Sequence, residues 1–203
     1  MIPVVADADT LFGATTRGFL IHLDYEGLIR LHWSPLILDE LSRALVATGR
    51  KPDSDSARRH EHLMRAALPQ AELPTQRVQA RFASVASAMR SPKDTHVAAC
   101  AVAILADGYY PGTQVVSLVT KNTRDFGIRK LAALGIDVQR PDAFLLDTFR
   151  HQPAGVAQAF AALRSTLRSA PAPDRLLERL AADGQLLTAA ALHDAWQRGE
   201  LKL

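Results

Sequence analysis

Four acidic residues stand at positions where a carboxylate is costly unless something pairs with it. Asp7 ends a short apolar run, and Asp125 follows a later one. Glu40 lies within a helical pattern, and Asp94 opens another. Mg²⁺ and Mn²⁺ take oxygen ligands, and a site with one or two carboxylates leaves room for water and a substrate phosphate. We therefore expect a metal-dependent enzyme that acts on phosphate esters.

The elements that must position these acids alternate between strand-like and helix-like patterns. Short apolar runs rich in β-branched residues predict strands over residues 2–6, 29–33, 115–119 and 136–138. Helical patterns cover residues 11–28, 34–49, 53–68, 76–90, 91–107 and 131–134. Strands that alternate with helices favour an α/β fold with a central parallel sheet covered on both faces.

Such a sheet would bring the four acids to one edge, because ligands bind outside the carboxyl ends of parallel strands. Ser34 and Pro35 predict the start of the helix that carries Glu40, about one turn from its beginning. Taken singly, each acid has an ordinary explanation as a turn residue, a solvated helix residue, a partner of a helix dipole or a surface charge. Their shared edge favours a common site.

Several segments also carry a family resemblance. They are VVADADTL at 4–11, LDEL at 38–41, PKDTHVAA at 92–99, VTKNTRDF at 119–126, GIDV at 135–138 and PDAFL at 141–145. In this order they resemble the PIN-domain ribonucleases, in particular the VapC-type toxins of type II toxin–antitoxin systems. The resemblance implies a PIN-like (Rossmann-like) three-layer α/β/α nuclease domain over residues 1–150. Residues 151–203 are rich in Ala and Leu, lack a strand signal, and predict a helical C-terminal extension with helices over 153–170 and 174–199.

The same resemblance implies a set of site residues. The catalytic acids would be Asp7, Glu40, Asp94 and Asp125. We hypothesise that the aspartates hold Mg²⁺ or Mn²⁺ directly or through water, while Glu40 positions or deprotonates the attacking water. Thr120 and Asn122 would line the pocket.

Two residues depart from the family pattern. Asp9 stands where the family usually has Asn, which adds a negative charge near the site. Lys121 lies between Thr120 and Asn122, and it could offset that charge or reach a phosphate.

Basic residues offer a path for an RNA backbone. The chain carries 24 Lys and Arg against 21 Asp and Glu, with a net charge of +3, which permits a phosphate-rich partner without demanding one. The cations we expect to contact substrate are Arg17, Arg43, Arg124 and Lys121, with Arg129 also near Asp125. A further cluster, Arg58, Arg59 and Arg65, is more typical of a solvated helix face. Because only 6% of residues are aromatic, shape and phosphate contacts should outweigh base stacking.

Two histidine patterns carry no ligand prediction. His96 follows Asp94 by two residues, so on a regular helix it should turn away from the pocket. His60 and His62 are also two residues apart, which would place them on different helix faces.

The resemblance implies a metal-dependent endoribonuclease that leaves a 5′-phosphate and inhibits translation. Its substrate would be transfer, ribosomal or messenger RNA, its partner a VapB-type antitoxin, and its assembly a homodimer. One alternative is a haloacid-dehalogenase-like phosphatase, because Asp7, Ala8, Asp9 and Thr10 loosely match the nucleophile loop of that family. The spacing of Asp9 and Thr10 departs from that pattern, and the late paired-acid motif is missing. A PIN-type module that binds RNA or protein without cutting is the second alternative.

Cysteine usage and hydropathy bear on the compartment. Cys100 is the sole cysteine, so no internal disulfide forms, and its small apolar neighbours predict a buried, inert thiol. We see no signal-peptide core and no apolar run long enough to span a bilayer. These features predict a cytoplasmic protein without a membrane partner.

Overall fold

The structure is a computed structural model that describes residues 2–203. Its four strands are β1 (Ile2–Ala6), β2 (Ile29–His32), β3 (Val116–Val119) and β4 (Ile136–Gln139). They form one parallel sheet in the order β2-β1-β3-β4. The prediction of an α/β fold with a central parallel sheet is therefore confirmed.

Helices occupy most of the remaining chain. They are α1 (Ala8–Leu11), α2 (Ala14–Tyr25), α3 (Pro35–Ala47), α4 (Ser54–Ala67), α5 (Thr75–Gln79), α6 (Phe82–Val85), α7 (Thr95–Ala106), α8 (Ile128–Ala132), α9 (Pro141–His151), α10 (Pro153–Thr166), α11 (Pro173–Ala182) and α12 (Leu186–Gln197). Single 3₁₀ turns span Ala86–Ala88, Pro92–Asp94 and Thr123–Asp125. Within residues 2–203, no helix combines the length and the apolar character needed to cross a membrane.

The chain divides into two compact units. The first, the sheet unit, comprises residues 2–12 and 30–139, and the second, the helical unit, comprises residues 13–29 and 140–203. The helical unit therefore combines α2 with the four C-terminal helices. The division into a nuclease domain over 1–150 and an extension over 151–203 stays a prediction.

Strand order places the carboxyl ends of β1 and β3 side by side in the sheet unit. In register, Ala6 lies beside Val119, and the amide of Asp7 donates to the carbonyl of Val119 at 3.0 Å. From β1 the chain goes to β2 on one side, while β3 and β4 lie on the other. The crevice between β1 and β3 is thus a topological switch point, where ligands of parallel sheets bind.

Two helices of the sheet unit bring further residues to this region. Ser34 caps α3 by accepting a hydrogen bond from the amide of Ile37, and Pro35 occupies the first turn, as predicted. The buried face of α3 includes Leu38 and Leu41, which leaves the intervening Glu40 partly exposed. Helix α7 is buried over most of its length and contacts β1 and β3.

Three predicted helices are interrupted in the structure. The helix predicted over 76–90 is α5, α6 and a 3₁₀ turn, after which Met89 becomes extended and pairs with Phe126. The helix predicted from residue 91 begins as a 3₁₀ turn. The pattern over 174–199 forms α11 and α12, separated by Gly184 at φ +101°. In each case a local turn or a tertiary contact overrides a helical pattern.

Long-range caps and an apolar core hold the helical unit together. Phe19 of α2 meets Phe160 of α10 edge to face, with ring centroids 5.6 Å apart. Asp183 accepts hydrogen bonds from the amides of Thr15 and Thr16 at 2.8 and 2.9 Å, at the start of α2. Such bonds satisfy amide groups that a helix N-terminus leaves unpaired.

The backbone around Gly135, which precedes β4, is closely packed, and substitution of this residue tests that packing. A methyl group there would lie 2.6 Å from the Gln114 carbonyl oxygen, and the residue has φ +77°. Gly49 has a similar φ of +70° and open space around it, so it provides a matched control. We expect Gly49→Ala to lower the free energy of unfolding by about 1 kcal/mol and Gly135→Ala by about 3 kcal/mol. Urea unfolding measures both, and equal losses would contradict the proposed close approach.

Candidate functional site

Asp7 is fixed at the carboxyl end of β1 by two hydrogen bonds. Its Oδ1 accepts from the amide of Ala8 at 2.7 Å, as the cap of α1. Its Oδ2 accepts from the Thr120 hydroxyl at 2.8 Å. Because Thr120 directly follows β3, this bond spans the crevice between the two strands. The carboxyl group is buried and held in one orientation.

Asp9 anchors the loop that follows β3. Its carboxylate accepts hydrogen bonds from the amides of Lys121 and Asn122 at 3.0 to 3.1 Å, and it lies 3.2 Å from the oxygen of the Thr120 hydroxyl that donates to Asp7. These hydrogen bonds stabilise the negative charge of Asp9, a residue that the sequence alone identified only as a departure from the family pattern. Asp9 therefore shapes the loop as well as adding negative charge near Asp7.

Asp94 and Asp125 form a second acidic pair. Asp94 lies at the start of α7, and its carboxyl is close enough to that of Asp125 for the two groups to interact electrostatically. Asn122 donates its side-chain amide to Oδ2 of Asp125. Oδ2 of Asp94 is buried and has no hydrogen-bond donor among residues 2–203. Buried carboxylate oxygens without donors are unusual and costly.

Glu40 of α3 is held by His96, which corrects the prediction that His96 turns away. Nε2 of His96 lies 3.3 Å from Oε2 of Glu40, and Nδ1 contacts the carbonyl of Lys93 at 2.9 Å. The prediction was wrong because Asp94 belongs to a 3₁₀ turn and His96 to the first turn of α7. The regular 100° step between helical residues does not apply across that junction.

Electrostatic coupling links these residues. Burial, together with the charges of Asp9 and Glu40, raises the pKa of Asp7 to about 7. Burial and the proximity of the Asp125 carboxyl raise the pKa of Asp94 to about 6. The contact with His96 lowers the pKa of Glu40, despite partial burial. The pKa of His96 is raised because Glu40 and Asp7 outweigh the effect of burial.

These acids carry more negative charge than the surrounding side chains balance, which is the situation that a bound cation relieves. All the candidate metal ligands are carboxylate oxygens, the type of ligand that Mg²⁺ and Mn²⁺ prefer. No group of three or more His, Cys, Asp or Glu side chains in residues 2–203 is already spaced to hold a metal ion. Mg²⁺ commonly uses one or two carboxylates and completes its shell with water and phosphate. The pair Asp94 and Asp125 fits this requirement, and direct ligation by Asp7 stays a prediction.

The predicted substrate-binding cations lie in different surroundings. Arg43 is exposed and pairs with Asp39 at 3.1 Å, and both line a cavity of about 570 Å³ with Glu40 and His96. Arg124, which directly precedes Asp125 in the chain, lines a different cavity. Arg17 lies on α2 in the helical unit. Substrate contact by each of them stays a prediction.

The arginines of α4 make internal contacts. Arg58 pairs with Asp55, and Arg65 bridges Glu61 and Glu72 at 3.0 and 2.6 Å. These partners agree with the interpretation of the cluster as a solvated helix face rather than an RNA surface.

Comparison with models of known protein families gave a match to part of the chain. Residues 141–194 match the family model of the VapC50 C-terminal domain, which suggests a VapC-family toxin. The matched segment is about a quarter of the chain and lies within the helical unit, whereas the acids described above lie in the sheet unit. The comparisons with curated proteins and with solved structures gave no significant match.

The raised pKa of Asp7 predicts that this residue destabilises the fold at neutral pH when divalent cations are removed. The folded state keeps the proton up to a pKa of about 7, whereas the unfolded chain loses it near 3.8. Stability should therefore fall as pH rises through this window. In EDTA at pH 8, we expect Asp7→Asn to raise the free energy of unfolding by about 2–4 kcal/mol. At pH 4 the difference should be small.

Urea unfolding at the two pH values measures this effect. Asp147→Asn provides the control, because Asp147 is exposed and only weakly paired with Arg150 at 3.5 Å. The same chemical change there should alter stability by less than about 0.5 kcal/mol. A loss of stability in Asp7→Asn at pH 8 would contradict the proposed strain.

Proposed function

We propose that this protein is an Mg²⁺- or Mn²⁺-dependent endoribonuclease and the toxin of a toxin–antitoxin pair. The observation that carries the proposal is the meeting of Asp7, Asp9 and Thr120 at the β1–β3 crevice, in electrostatic contact with Glu40 and, through it, with Asp94. Acids that raise one another's pKa at a sheet switch point are candidates for metal and phosphate chemistry. The partial match to the VapC50 C-terminal domain supports the toxin assignment.

The chain's own residues would divide the reaction between them. Asp94 and Asp125 would hold the metal ion, with Asp7 joining directly or through water. A bound Mg²⁺ or Mn²⁺ would offset the negative charge of the phosphodiester and lower the pKa of an attacking water. Glu40, whose pKa is lowered by His96, is ionised at neutral pH and can accept a proton from that water. The products would be a 5′-phosphate and a 3′-hydroxyl.

Thr120 and Asp9 have positioning roles in this proposal. The Thr120 hydroxyl fixes one oxygen of Asp7, and Asp9 fixes the backbone at Lys121 and Asn122. Asn122 in turn donates to Asp125. A single hydrogen-bonded loop therefore connects an acid that directly follows β1 to an acid beyond β3.

A toxin of this type implies three partners. The substrate would be cellular RNA of the transfer, ribosomal or messenger class, and a VapB-type antitoxin would cover the acidic pocket. We also propose that the protein forms a homodimer and acts in the cytoplasm, where its RNA substrates are found.

Asp94→Asn tests the proposed reaction most directly. Asparagine keeps the size of the side chain and removes the charge, so metal-dependent cleavage of total cellular RNA should fall by about a hundredfold or more. Cleavage by the wild type should require Mn²⁺ or Mg²⁺, stop in EDTA and leave 5′-phosphate ends. Asp147→Asn, in the helical unit, should keep wild-type activity. Full activity in Asp94→Asn would contradict the assigned role.

Two further measurements separate the alternatives. Hydrolysis of p-nitrophenyl phosphate without RNA cleavage would favour a haloacid-dehalogenase-like phosphatase. Equal RNA binding by the wild type and Asp94→Asn, with no cleavage by either in Mn²⁺ or Mg²⁺, would favour a module that binds RNA without cutting.

A further inference from the structure

A basic groove adjoins the acidic site in the sheet unit. It is a cavity of about 750 Å³ lined by residues 87–90 and by residues 123–124 and 126–130. Its charged side chains are Arg90, Arg124, Arg129 and Lys130. All four are exposed, and none of the lining residues is acidic.

The walls of the groove are held together by backbone contacts. Met89 and Phe126 form an antiparallel bridge, and the amide of Arg90 donates to the carbonyl of Asp125 at 2.8 Å. The amide of Gly127 donates to the carbonyl of Ala88 at 2.7 Å. A Cβ atom on Gly127 would lie 2.6 Å from that same oxygen, so only glycine permits this approach. The groove is therefore attached directly to the backbone of Asp125.

Its guanidinium groups lack internal partners. No salt bridge within the described residues involves Arg90, Arg124 or Arg129. Lys130 donates to the carbonyl of Ser87 at 2.7 Å, which leaves its positive charge without a counterion. By contrast, Arg58 of α4 pairs with a neighbouring acid and Arg59 donates to Ser56. Four uncompensated cations around one groove give it a positive electrostatic potential, which attracts polyanions.

We propose that this groove binds the sugar–phosphate backbone of the RNA substrate next to the bond that is cut. The proposal rests on the nuclease function proposed above. Arg124 precedes Asp125 in the chain, and Arg90 is hydrogen-bonded to it, so a strand in the groove leads to the acidic pair. Phe126 is buried, and no exposed aromatic ring lines the groove, so phosphate contacts rather than base stacking provide the affinity.

The salt dependence of RNA binding tests this proposal. Each phosphate contact with single-stranded RNA contributes a slope of about −0.7 to a plot of log K against log salt concentration. Arg124→Ala/Arg129→Ala should therefore make the slope shallower by about 1.4. Binding of a fluorescein-labelled single-stranded RNA oligonucleotide is measured by anisotropy in EDTA, which prevents metal-dependent cleavage. Urea midpoints of the variants should match the wild type, because the changed side chains are exposed.

Arg58→Ala/Arg59→Ala is the matched control, since it removes the same charge from two exposed arginines outside the groove. It should leave the slope close to that of the wild type. Equal changes in both double variants, or no change in either, would overturn the proposal. A groove variant that loses binding of poly-L-glutamate but keeps RNA binding would also overturn it, and would identify a protein-docking surface.

A parallel cleavage assay in Mn²⁺ separates this proposal from the nuclease proposal. If the wild type cuts the oligonucleotide, the groove variant should cut it more slowly at subsaturating protein and recover at saturation. If the wild type does not cut, but the groove variant alone loses salt-dependent binding, the nuclease proposal fails and the groove remains an RNA-binding site.

Discussion

Mutual repulsion among buried and partly buried carboxylates is the constraint around which the sheet unit is arranged. The charges of Asp9 and Glu40 help raise the pKa of Asp7, and those of Asp125 and Glu40 help raise the pKa of Asp94. Unpaired buried charges cost several kcal/mol each, so the fold must supply donors, retain protons or bind a cation. It supplies donors through Thr120 and the loop amides, and it retains protons by raising pKa values. The remaining negative charge is what makes the site suited to a divalent ion.

Parallel pairing of β1 and β3 fixes the positions of the residues that follow the two strands, and this pairing defines the site. Ala6 and Val119 lie side by side, so the residues that follow them meet without any long loop having to be ordered. Asp7 and Thr120 are consequently fixed by the sheet itself. Glu40 is positioned instead by the burial of the apolar face of α3 and by its ion pair with His96. Sites built on rigid elements in this way hold their geometry better than sites built on loops.

The strands, the cap of α3 and the general positions of the acids follow from local sequence rules. Apolar β-branched runs, Ser34 with Pro35, and acids after strands are signals that a few residues carry by themselves. The orientation of His96 could not be obtained this way, because it depends on a 3₁₀ turn beginning at Pro92. The role of Asp9 depends on a loop over a hundred residues away, and the break in the pattern at 76–90 depends on pairing with Phe126. Contacts distant in sequence therefore decide the details of the site.

The segment from Thr123 to Lys130 contains both an acid of the site and cations of the groove. The strength of the electrostatic interactions that each group can make indicates different roles for them. Two unit charges 4 Å apart interact by about 1 kcal/mol in water and about 4 kcal/mol near a protein surface. The exposed arginines of the groove lie toward the weaker limit and are screened over about 8 Å at physiological salt. They can attract and orient a polyanion, but they cannot supply the charge stabilisation that breaking a phosphodiester requires. The partly buried acids lie toward the stronger limit, where a cation would act with least screening. Binding of the strand and cleavage of the bond are therefore expected to depend on separate residues of one segment.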